Sequence, residues 1–283
     1  MRKQKATHQP PSPAPLRWGR RLLATVLPSP CLACGDPQGE RRWGLCRDCR
    51  KQLRPARFHC RGCLRALSVA HPPPTYLCGT CRRSPPPFDR LWARWSYEDP
   101  LPEALKAFKY GRLDYLGEEL GEELGRWLGE RLEFELESEI EREESSKELS
   151  AKVYDLVIPI PLHWRRRLRR GFNQAERVAR PVARHLGARF SPSLRRRRAT
   201  GHQSRLGRRQ RARNPRSAFA SRNPQQIAGK RILLVDDIAT TGATLRAAAR
   251  CLRQAEAAHI EAAVIATTPS SSPGHGPPRN SQP

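Results

Sequence analysis

Two adjacent carboxylates, Asp236 and Asp237, follow a β-rich run at Arg231–Val235 and precede a turn of small residues. Backbone N–H groups in a turn that opens a helix form an anion site, and threonine hydroxyls add donors for phosphate oxygens. The carboxylates suit sugar hydroxyls or a metal ion that accompanies a pyrophosphate. The pattern therefore predicts a ribose 5-phosphate site, with the phosphate in the loop and the ribose diol on the aspartates. Its predicted residues are Asp236, Asp237, Thr240, Thr241, Gly242, Ala243 and Thr244.

Eight of the nine cysteines form four C-x-x-C pairs. Two such pairs close one tetrahedral four-thiolate site, which leaves no position for water, so eight thiolates predict two structural zinc ions. Disulfides are the alternative, but repeated C-x-x-C spacing without a secretory signal favours metal. Sequential pairing is the simplest arrangement, and cross-braced pairing stays open. The predicted ligands are Cys31, Cys34, Cys46, Cys49, Cys60, Cys63, Cys78 and Cys81, while Cys251 is predicted to be a buried structural thiol.

The stretch Arg231–Leu245 resembles the binding motif of type I phosphoribosyltransferases for 5-phosphoribosyl 1-pyrophosphate (PRPP). From roughly Leu22 to Thr268 the chain resembles the ComF/GntX family of competence-related proteins. The resemblance implies an α/β, Rossmann-like type I phosphoribosyltransferase domain behind a Cys-rich double zinc ribbon, with Mg²⁺ accompanying PRPP. The expected division is a basic tail and short helix at 1–30, the double zinc ribbon at 31–84, the transferase domain at 88–268 and a disordered tail at 269–283.

Two arginine-rich segments match further parts of the family pattern. The segment after a predicted strand at Val153–Ile160 matches the pyrophosphate-binding segment, where arginine forks bind phosphate; helix capping is the alternative role for Asn173. The long connection Phe190–Phe219 matches a flexible hood that excludes water from an activated ribosyl donor, and a disordered basic loop is the alternative. The resemblance implies pyrophosphate ligands Arg166, Arg170 and Gly171, and hood residues Arg198, Thr200, Gln203, Arg211 and Asn214.

Rival interpretations of the acidic strand fit less well. The run ILLVDD also resembles the phosphoacceptor strand of response-regulator receivers, but receivers carry those acids near the N-terminus and lack the TTGAT turn. A core strand that merely ends in a turn is the structural alternative. Neither a G-x-G-x-x-G nor a Walker-type motif occurs, so dinucleotide and Walker sites lack support.

Charge is high and uneven along the chain. The formal net charge is +26, and Arg165–Arg216 holds 19 arginines with one acid, Glu176. Such a block suggests polyanion partners; a general preference for arginine over lysine is the compositional alternative. The arginines of the cysteine-rich module would likewise give it a basic surface for nucleic acid, or the module simply packs on the second domain. No apolar run reaches the ~18 residues of a membrane span, and a cytoplasmic location is expected.

The remaining elements must position these groups. Leu116–Leu132 repeats leucine every fourth residue with glycine after each of the first four, which predicts a helix packed closely against a neighbour, since helical glycine otherwise costs about 1 kcal/mol. Pro102–Tyr110 predicts a helix with Lys106 and Lys109 on one side. This lysine-bearing helix recurs in the family, and the sequence assigns it no role.

Two functions follow from these patterns. The first is a phosphoribosyltransferase of the glycosyltransferase class that acts on an unidentified acceptor, with Asp237 as the candidate catalytic residue, serving as a base or only binding hydroxyls. The second is a non-enzymatic competence factor that handles nucleic acid and uses the PRPP site for regulation. Single-stranded DNA or competence machinery would be its partners. The sequence assigns neither the acceptor nor an oligomeric state.

Overall fold

The computed structural model describes residues 30–56, 60, 62, 76–111, 113–140, 153–163, 167–168, 170–197 and 218–268. Its strands are β1 (Arg41–Arg42), β2 (Leu45–Cys46), β3 (Arg90–Ser96), β4 (Leu156–Pro159), β5 (Arg189–Phe190), β6 (Leu194–Arg196), β7 (Phe219–Ser221), β8 (Arg231–Ala239) and β9 (His259–Thr267). Its helices are α1 (Arg47–Lys51), α2 (Gly79–Arg83), α3 (Leu101–Tyr110), α4 (Tyr115–Ile140), α5 (Gln174–His185) and α6 (Ala243–Gln254). The expectations for residues 1–29 and 269–283 lie outside the described residues.

A parallel five-stranded sheet forms the centre of the fold, in the order β3-β9-β8-β4-β5. β8 is apolar on both faces, as a strand covered by helices on both sides must be. Ile232 and Leu234 face one core, whereas Leu233 and Val235 face the other. The predicted Rossmann-like α/β class is confirmed.

The leucine–glycine repeat of α4 packs against α5. The four leucines at 116, 120, 124 and 128 are fully buried. A Cβ atom built on Gly121 would lie 2.5 Å from the carbonyl oxygen of Val178, and one on Gly125 would lie 2.9 Å from His185 Cβ. The prediction of close helix packing is therefore confirmed at these positions, but Gly129 has nothing within 4 Å of such an atom.

The N-terminal cysteine-rich module adds a short antiparallel pairing to the free edge of β3. The Ser96 N–H donates to the Arg54 carbonyl at 2.9 Å, and the Ala56 N–H donates to the Arg94 carbonyl at 3.2 Å. The Trp43 ring lies against Trp95, with a centroid distance of 5.0 Å. The module is thus packed on the α/β domain.

Element boundaries differ from those predicted at three places. β8 continues through both aspartates to Ala239, α4 extends to Ile140, and β4 is confined to Leu156–Pro159. β8 extends because β9 continues beside it, with Asp236 in register with Val264. Among the helices in the described ranges, none combines the length and apolar character needed to cross a bilayer.

Candidate functional site

The two aspartates lie in the last residues of β8, at the carboxyl edge of the sheet. Burial, reinforced by the neighbouring Asp237 carboxylate, raises the pKa of Asp236 to about 8. The Asp237 N–H donates to Asp236 Oδ1 at 2.9 Å, which holds the two carboxyl groups together. Two acids this close resist simultaneous ionisation unless a cation joins them.

Lys109 is that cation in this structure. Its Nζ lies 2.8 Å from Asp237 Oδ2, with only 19% of the lysine side chain and 13% of the aspartate side chain exposed. Lys109 is near the end of α3, more than a hundred residues away in sequence. Its helical position was predicted, but its partner depends on how α3 packs and could not be inferred from spacing.

The turn after β8 leaves open space at the N-terminus of α6. Gly242 has φ +67° and precedes the first residue of α6, so the backbone takes a left-handed conformation that favours glycine. A Cβ atom at Gly242 would meet nothing within 4 Å, which leaves open space beside the helix N-terminus. Thr240, Thr241 and Ala243 are exposed around that space, and Thr244 is half-buried. Free N–H groups at a helix N-terminus suit a phosphate.

The segment after β4 approaches the same edge of the sheet through Arg170. The Arg170 guanidinium donates to Gln174 Oε1 at 3.2 Å and to the Tyr110 hydroxyl at 3.4 Å. It also lies over the Tyr110 ring, 5.0 Å from the centroid. Because Tyr110 follows Lys109, α3 links the arginine segment to the aspartates. Gly171 turns the chain after Arg170, with φ +80°.

Within the described residues, three buried polar atoms of this segment lack a hydrogen-bond partner: Arg170 Nε, Asn173 Oδ1 and Gln174 Nε2. Asn173 occupies the position before α5 without capping it by its side chain. Its Nδ2 donates instead to the Ile160 carbonyl at 3.1 Å, which fastens the segment to the end of β4. An unsatisfied buried polar atom costs about 1–3 kcal/mol, so these atoms fit a segment that binds a polar ligand.

Several residues assigned from the sequence lie outside the described part of the chain. They are Cys63, Arg166, Arg198, Thr200, Gln203, Arg211 and Asn214. Their proposed roles as zinc ligand, pyrophosphate ligand and hood residues remain predictions.

The first cysteine cluster has the geometry of a metal site. The sulfur atoms of Cys31, Cys34, Cys46 and Cys49 all lie within 4.8 Å of one another. Cys34 Sγ and Cys46 Sγ are 3.8 Å apart, the edge of about 3.8 Å expected for a tetrahedron with Zn–S bonds of about 2.3 Å. Although burial opposes it, backbone N–H donors lower the pKa of the Cys31 thiol to about 6. The cluster follows the sequential pairing and fits zinc.

The second cluster brings together Cys60, Cys78 and Cys81. The Cys78 N–H donates to Cys60 Sγ at 3.2 Å. Arg246, one turn into α6, reaches this cluster: its Nη2 donates to the Gly62 carbonyl at 2.8 Å and to Cys81 Sγ at 3.4 Å. The second cluster therefore contacts α6, the helix that begins directly after the Gly242 turn. Cys251 of the same helix is half-buried against the core, and burial raises its pKa.

The first cluster touches the other helix of the site. Ala104 of α3 is fully buried among Cys31, Leu45, Cys46 and Cys49. Since α3 also carries Lys109, each cysteine cluster contacts one helix that brings a residue or a turn to the aspartates.

Comparisons with known proteins agree with this architecture. Residues 173–275 match the family model described as "Phosphoribosyl transferase domain". The chain is 31% identical over 237 residues to "DNA utilization protein YhgH" of Escherichia coli, covering 83% of this chain and 96% of that protein. It is 26% identical over 228 residues to "Competence protein F" of Haemophilus influenzae, covering 79% of this chain and 90% of that protein.

Among solved structures, the chain resembles a glutamine phosphoribosylpyrophosphate amidotransferase from B. subtilis at 18% identity with a TM-score of 0.35. The match covers 56% of this chain but only 30% of that one. The family assignment depends on the sequence relatives, which match along most of their length. This chain belongs to the ComF/GntX family, with a phosphoribosyl transferase domain behind a cysteine-rich N-terminal module.

Proposed function

We propose that the chain binds PRPP with Mg²⁺ and transfers its phosphoribosyl group to an acceptor. The observation that carries the proposal is the pair of half-buried carboxylates, Asp236 and Asp237, followed by an open left-handed turn at the N-terminus of α6. Carboxylates suit a ribose diol, and the turn suits the 5-phosphate. No other part of the chain that the structure describes joins these two features.

As the anomeric bond breaks, positive charge develops on the ribose and negative charge on the pyrophosphate. In this proposal, different residues stabilise each of these two charges. Asp236 and Asp237 bind the ribose hydroxyls on the side that becomes positive. Arg170, whose Nε lacks a partner, stabilises the leaving pyrophosphate by directed hydrogen bonds. Mg²⁺, which prefers oxygen ligands, would be held by the two carboxylates and would neutralise pyrophosphate charge.

Lys109 adds a step to substrate binding. Before PRPP arrives, its ammonium group satisfies Asp237. When a ribose hydroxyl or the metal ion contacts that carboxylate, the ion pair must lengthen or break. Lys109 is then free to turn its charge towards the phosphates, so the residue serves first as a counter-ion and then as a phosphate ligand.

A second candidate function is a nucleic-acid factor for which PRPP is a regulatory ligand. It is favoured by the names of the relatives, which concern DNA utilisation and competence. In this case, binding of PRPP would alter affinity for single-stranded DNA without consuming PRPP. The division into a ribbon at 31–84 and a transferase domain at 88–268, and a cytoplasmic location, accompany both candidates as predictions.

Calorimetry with PRPP and Mg²⁺ tests the binding site. Asp236→Asn with Asp237→Asn keeps side-chain size and should lower PRPP affinity by at least tenfold, about 1.4 kcal/mol. Gly242→Val should lower it separately, because a β-branched residue at positive φ distorts the turn. Gly129→Ala is a matched control, since Gly129 has open space around it and lies far along α4. No PRPP binding by the wild type, or wild-type binding by both variants, would refute the proposal.

Turnover separates the two candidates. Pyrophosphate release is measured from the wild type with PRPP, Mg²⁺ and a panel of bases, nucleosides and oligonucleotides. Release that depends on one acceptor and disappears in the double aspartate variant supports the transferase. PRPP binding without release, together with a change in oligonucleotide affinity, supports the regulatory factor.

A further inference from the structure

Tyr110 is an aromatic residue that the hydrophobic core does not use. It is the last residue of α3, and 64% of its surface is exposed. Two residues earlier, Phe108 is fully buried, with its ring centroid 5.7 Å from that of Phe172. Phe108 therefore packs the end of the helix, and replacement of the exposed Tyr110 should leave the fold intact.

Tyr110 contacts the guanidinium of Arg170 through both its ring and its hydroxyl. Arg170 Cζ lies over the ring, 5.0 Å from the centroid, which is within the range of a cation–π contact. Arg170 Nη2 donates to the Tyr110 hydroxyl at 3.4 Å, and Nη1 donates to Gln174 Oε1 at 3.2 Å. Both acceptors are neutral, so these contacts orient the guanidinium without neutralising its charge.

Arg170 lies where the backbone gives its side chain little support. The next residue, Gly171, has φ +80°, and a Cβ atom built on it would meet nothing within 4 Å. A long arginine side chain loses much rotamer freedom when a ligand fixes it, and a contact that fixes it beforehand removes that cost from binding. Among the described residues, Arg170 Nε has no hydrogen-bond partner, which leaves a donor for a phosphate oxygen.

The helix end that carries Tyr110 is itself held by the residues on either side. Lys109 forms the ion pair with Asp237. The Gly111 N–H donates to the Ala107 carbonyl at 2.7 Å, and a Cβ atom on Gly111 would lie 2.7 Å from the same oxygen. The Tyr110 ring thus contacts the arginine segment, while its position depends on the strand that carries the acidic pair.

We propose that Tyr110 is a positioning residue for pyrophosphate: its ring and hydroxyl hold Arg170 in the orientation that binds the leaving group of PRPP. This role rests on the proposed function, which assigns the pyrophosphate to Arg170. Because Lys109 and Tyr110 are consecutive, one helix end holds both the acidic pair and the pyrophosphate arginine. Substrate binding that releases Lys109 from the acidic pair therefore also acts on Tyr110, and the two halves of the site adjust together.

The test is calorimetry of the full-length, metal-loaded protein with the two halves of PRPP, inorganic pyrophosphate with Mg²⁺ and ribose 5-phosphate. Tyr110→Leu should weaken pyrophosphate binding at least about fivefold, but should change ribose 5-phosphate affinity less than about twofold. Tyr110→Phe keeps the ring and should lose no more than about twofold in pyrophosphate affinity. Phe134→Leu is a matched control that should change neither affinity, since 63% of Phe134 is exposed on α4.

A double variant separates positioning from direct contact between Tyr110 and pyrophosphate. Arg170→Gln alone should weaken pyrophosphate binding at least about tenfold. If Tyr110 acts through Arg170, Tyr110→Leu should have little further effect in that background, because the losses from two residues that act as a unit do not add. Zinc content and urea denaturation check that each variant is folded.

The outcomes distinguish this role from the proposed function. Additive losses in the double variant, or equal losses of pyrophosphate and ribose 5-phosphate affinity in Tyr110→Leu, would overturn the positioning role. Wild-type pyrophosphate binding by Tyr110→Leu would also overturn it, and the proposed function would stand as long as the wild type binds PRPP. Pyrophosphate binding that depends on Tyr110 and Arg170, in a wild type that binds no PRPP, would instead refute the proposed function and keep the positioning of the arginine. A wild type that binds neither ligand would refute both.

Discussion

Lys109 Nζ contacts Asp237 Oδ2 at 2.8 Å, and this ion pair joins the helix packed on the first cysteine cluster to the strand that carries the acidic pair. Asp236, next to it, is held near the same point with a raised pKa. The single positive charge of Lys109 thus lies beside two carboxyl groups. Several properties of the protein depend on this balance of charge.

Replacement of Lys109 should destabilise the protein measurably. Lys109→Gln leaves the half-buried Asp237 without its cation, which should lower the free energy of unfolding by about 3 kcal/mol. Lys106→Gln is a matched control on the same helix, because that lysine pairs with Glu103 while more than half exposed, and its removal should leave stability essentially unchanged. Urea denaturation of both variants gives the comparison. Equal effects would mean that the Lys109 pair contributes no more than a surface pair.

The acidic pair should make stability fall as the pH rises. The folded pKa of Asp236 is raised to about 8 by burial and by Asp237, whereas an unfolded aspartate titrates near 3.9. The contribution is therefore fully present below about pH 4 and is lost as the pH rises towards about 8. Asp236→Asn should flatten this dependence and raise the melting temperature at pH 8 by several degrees. Parallel profiles of unfolding free energy against pH for the wild type and the variant, between pH 5 and 8, would contradict this prediction.

The same titration should appear in ligand binding. If PRPP and Mg²⁺ require ionised Asp236, binding below about pH 8 must release a proton. The binding enthalpy measured by calorimetry should then depend on the ionisation enthalpy of the buffer at pH 7, and less so at pH 9. No buffer dependence at pH 7 would mean that Asp236 stays protonated in the complex.

Metal removal should weaken PRPP binding through Arg246. This side chain joins the second cysteine cluster to α6, so removal of that metal should loosen the turn at Gly242. Chelation should release two zinc ions per chain, and PRPP should slow release from the second site, because binding couplings are reciprocal. Arg246→Gln should abolish the slowing, with release from the first site as an internal control. Identical zinc-release kinetics with and without PRPP would mean that the second cysteine cluster and the PRPP site are not coupled.

A half-buried carboxylate at the other end of the sheet should control acid stability. Glu261 accepts hydrogen bonds from Tyr154 at 2.5 Å and Trp92 at 2.6 Å, and lies 3.0 Å from His259. Although burial opposes it, these partners lower the pKa of Glu261. Its stabilisation is therefore present above about pH 4.3, the ordinary value for glutamate, and is lost as the pH falls through the lowered pKa.

Glu261→Gln tests this network directly. It should lower the free energy of unfolding at pH 7 by about 1–3 kcal/mol and reduce the steepness of its acid dependence. Glu256→Gln, at an exposed position, should have neither effect. Denaturation curves collected between neutral and acidic pH provide the measurement, and similar curves for both variants would assign the acid sensitivity elsewhere.

The acidic strand, the glycine turn and the first cysteine cluster were all predictable because each depends on residues close in sequence. β8 and α6 carry their own signals, an apolar run and a small-residue turn. The Lys109–Asp237 pair and the Arg246 contact were not predictable, since both depend on how separate helices pack across the sheet.

The pairing of residues 54–56 with β3 has a consequence for solubility. β3 ends the sheet on that side, and an uncovered edge strand offers unpaired N–H and carbonyl groups to other chains. The hydrogen bonds at Arg54 and Ala56 occupy part of that edge, and the cysteine cluster that contains Cys46 and Cys49 anchors the segment just before them. The cysteine-rich module thereby protects the molecule against strand-to-strand association, and demetallated protein should aggregate through β3 before its central sheet unfolds.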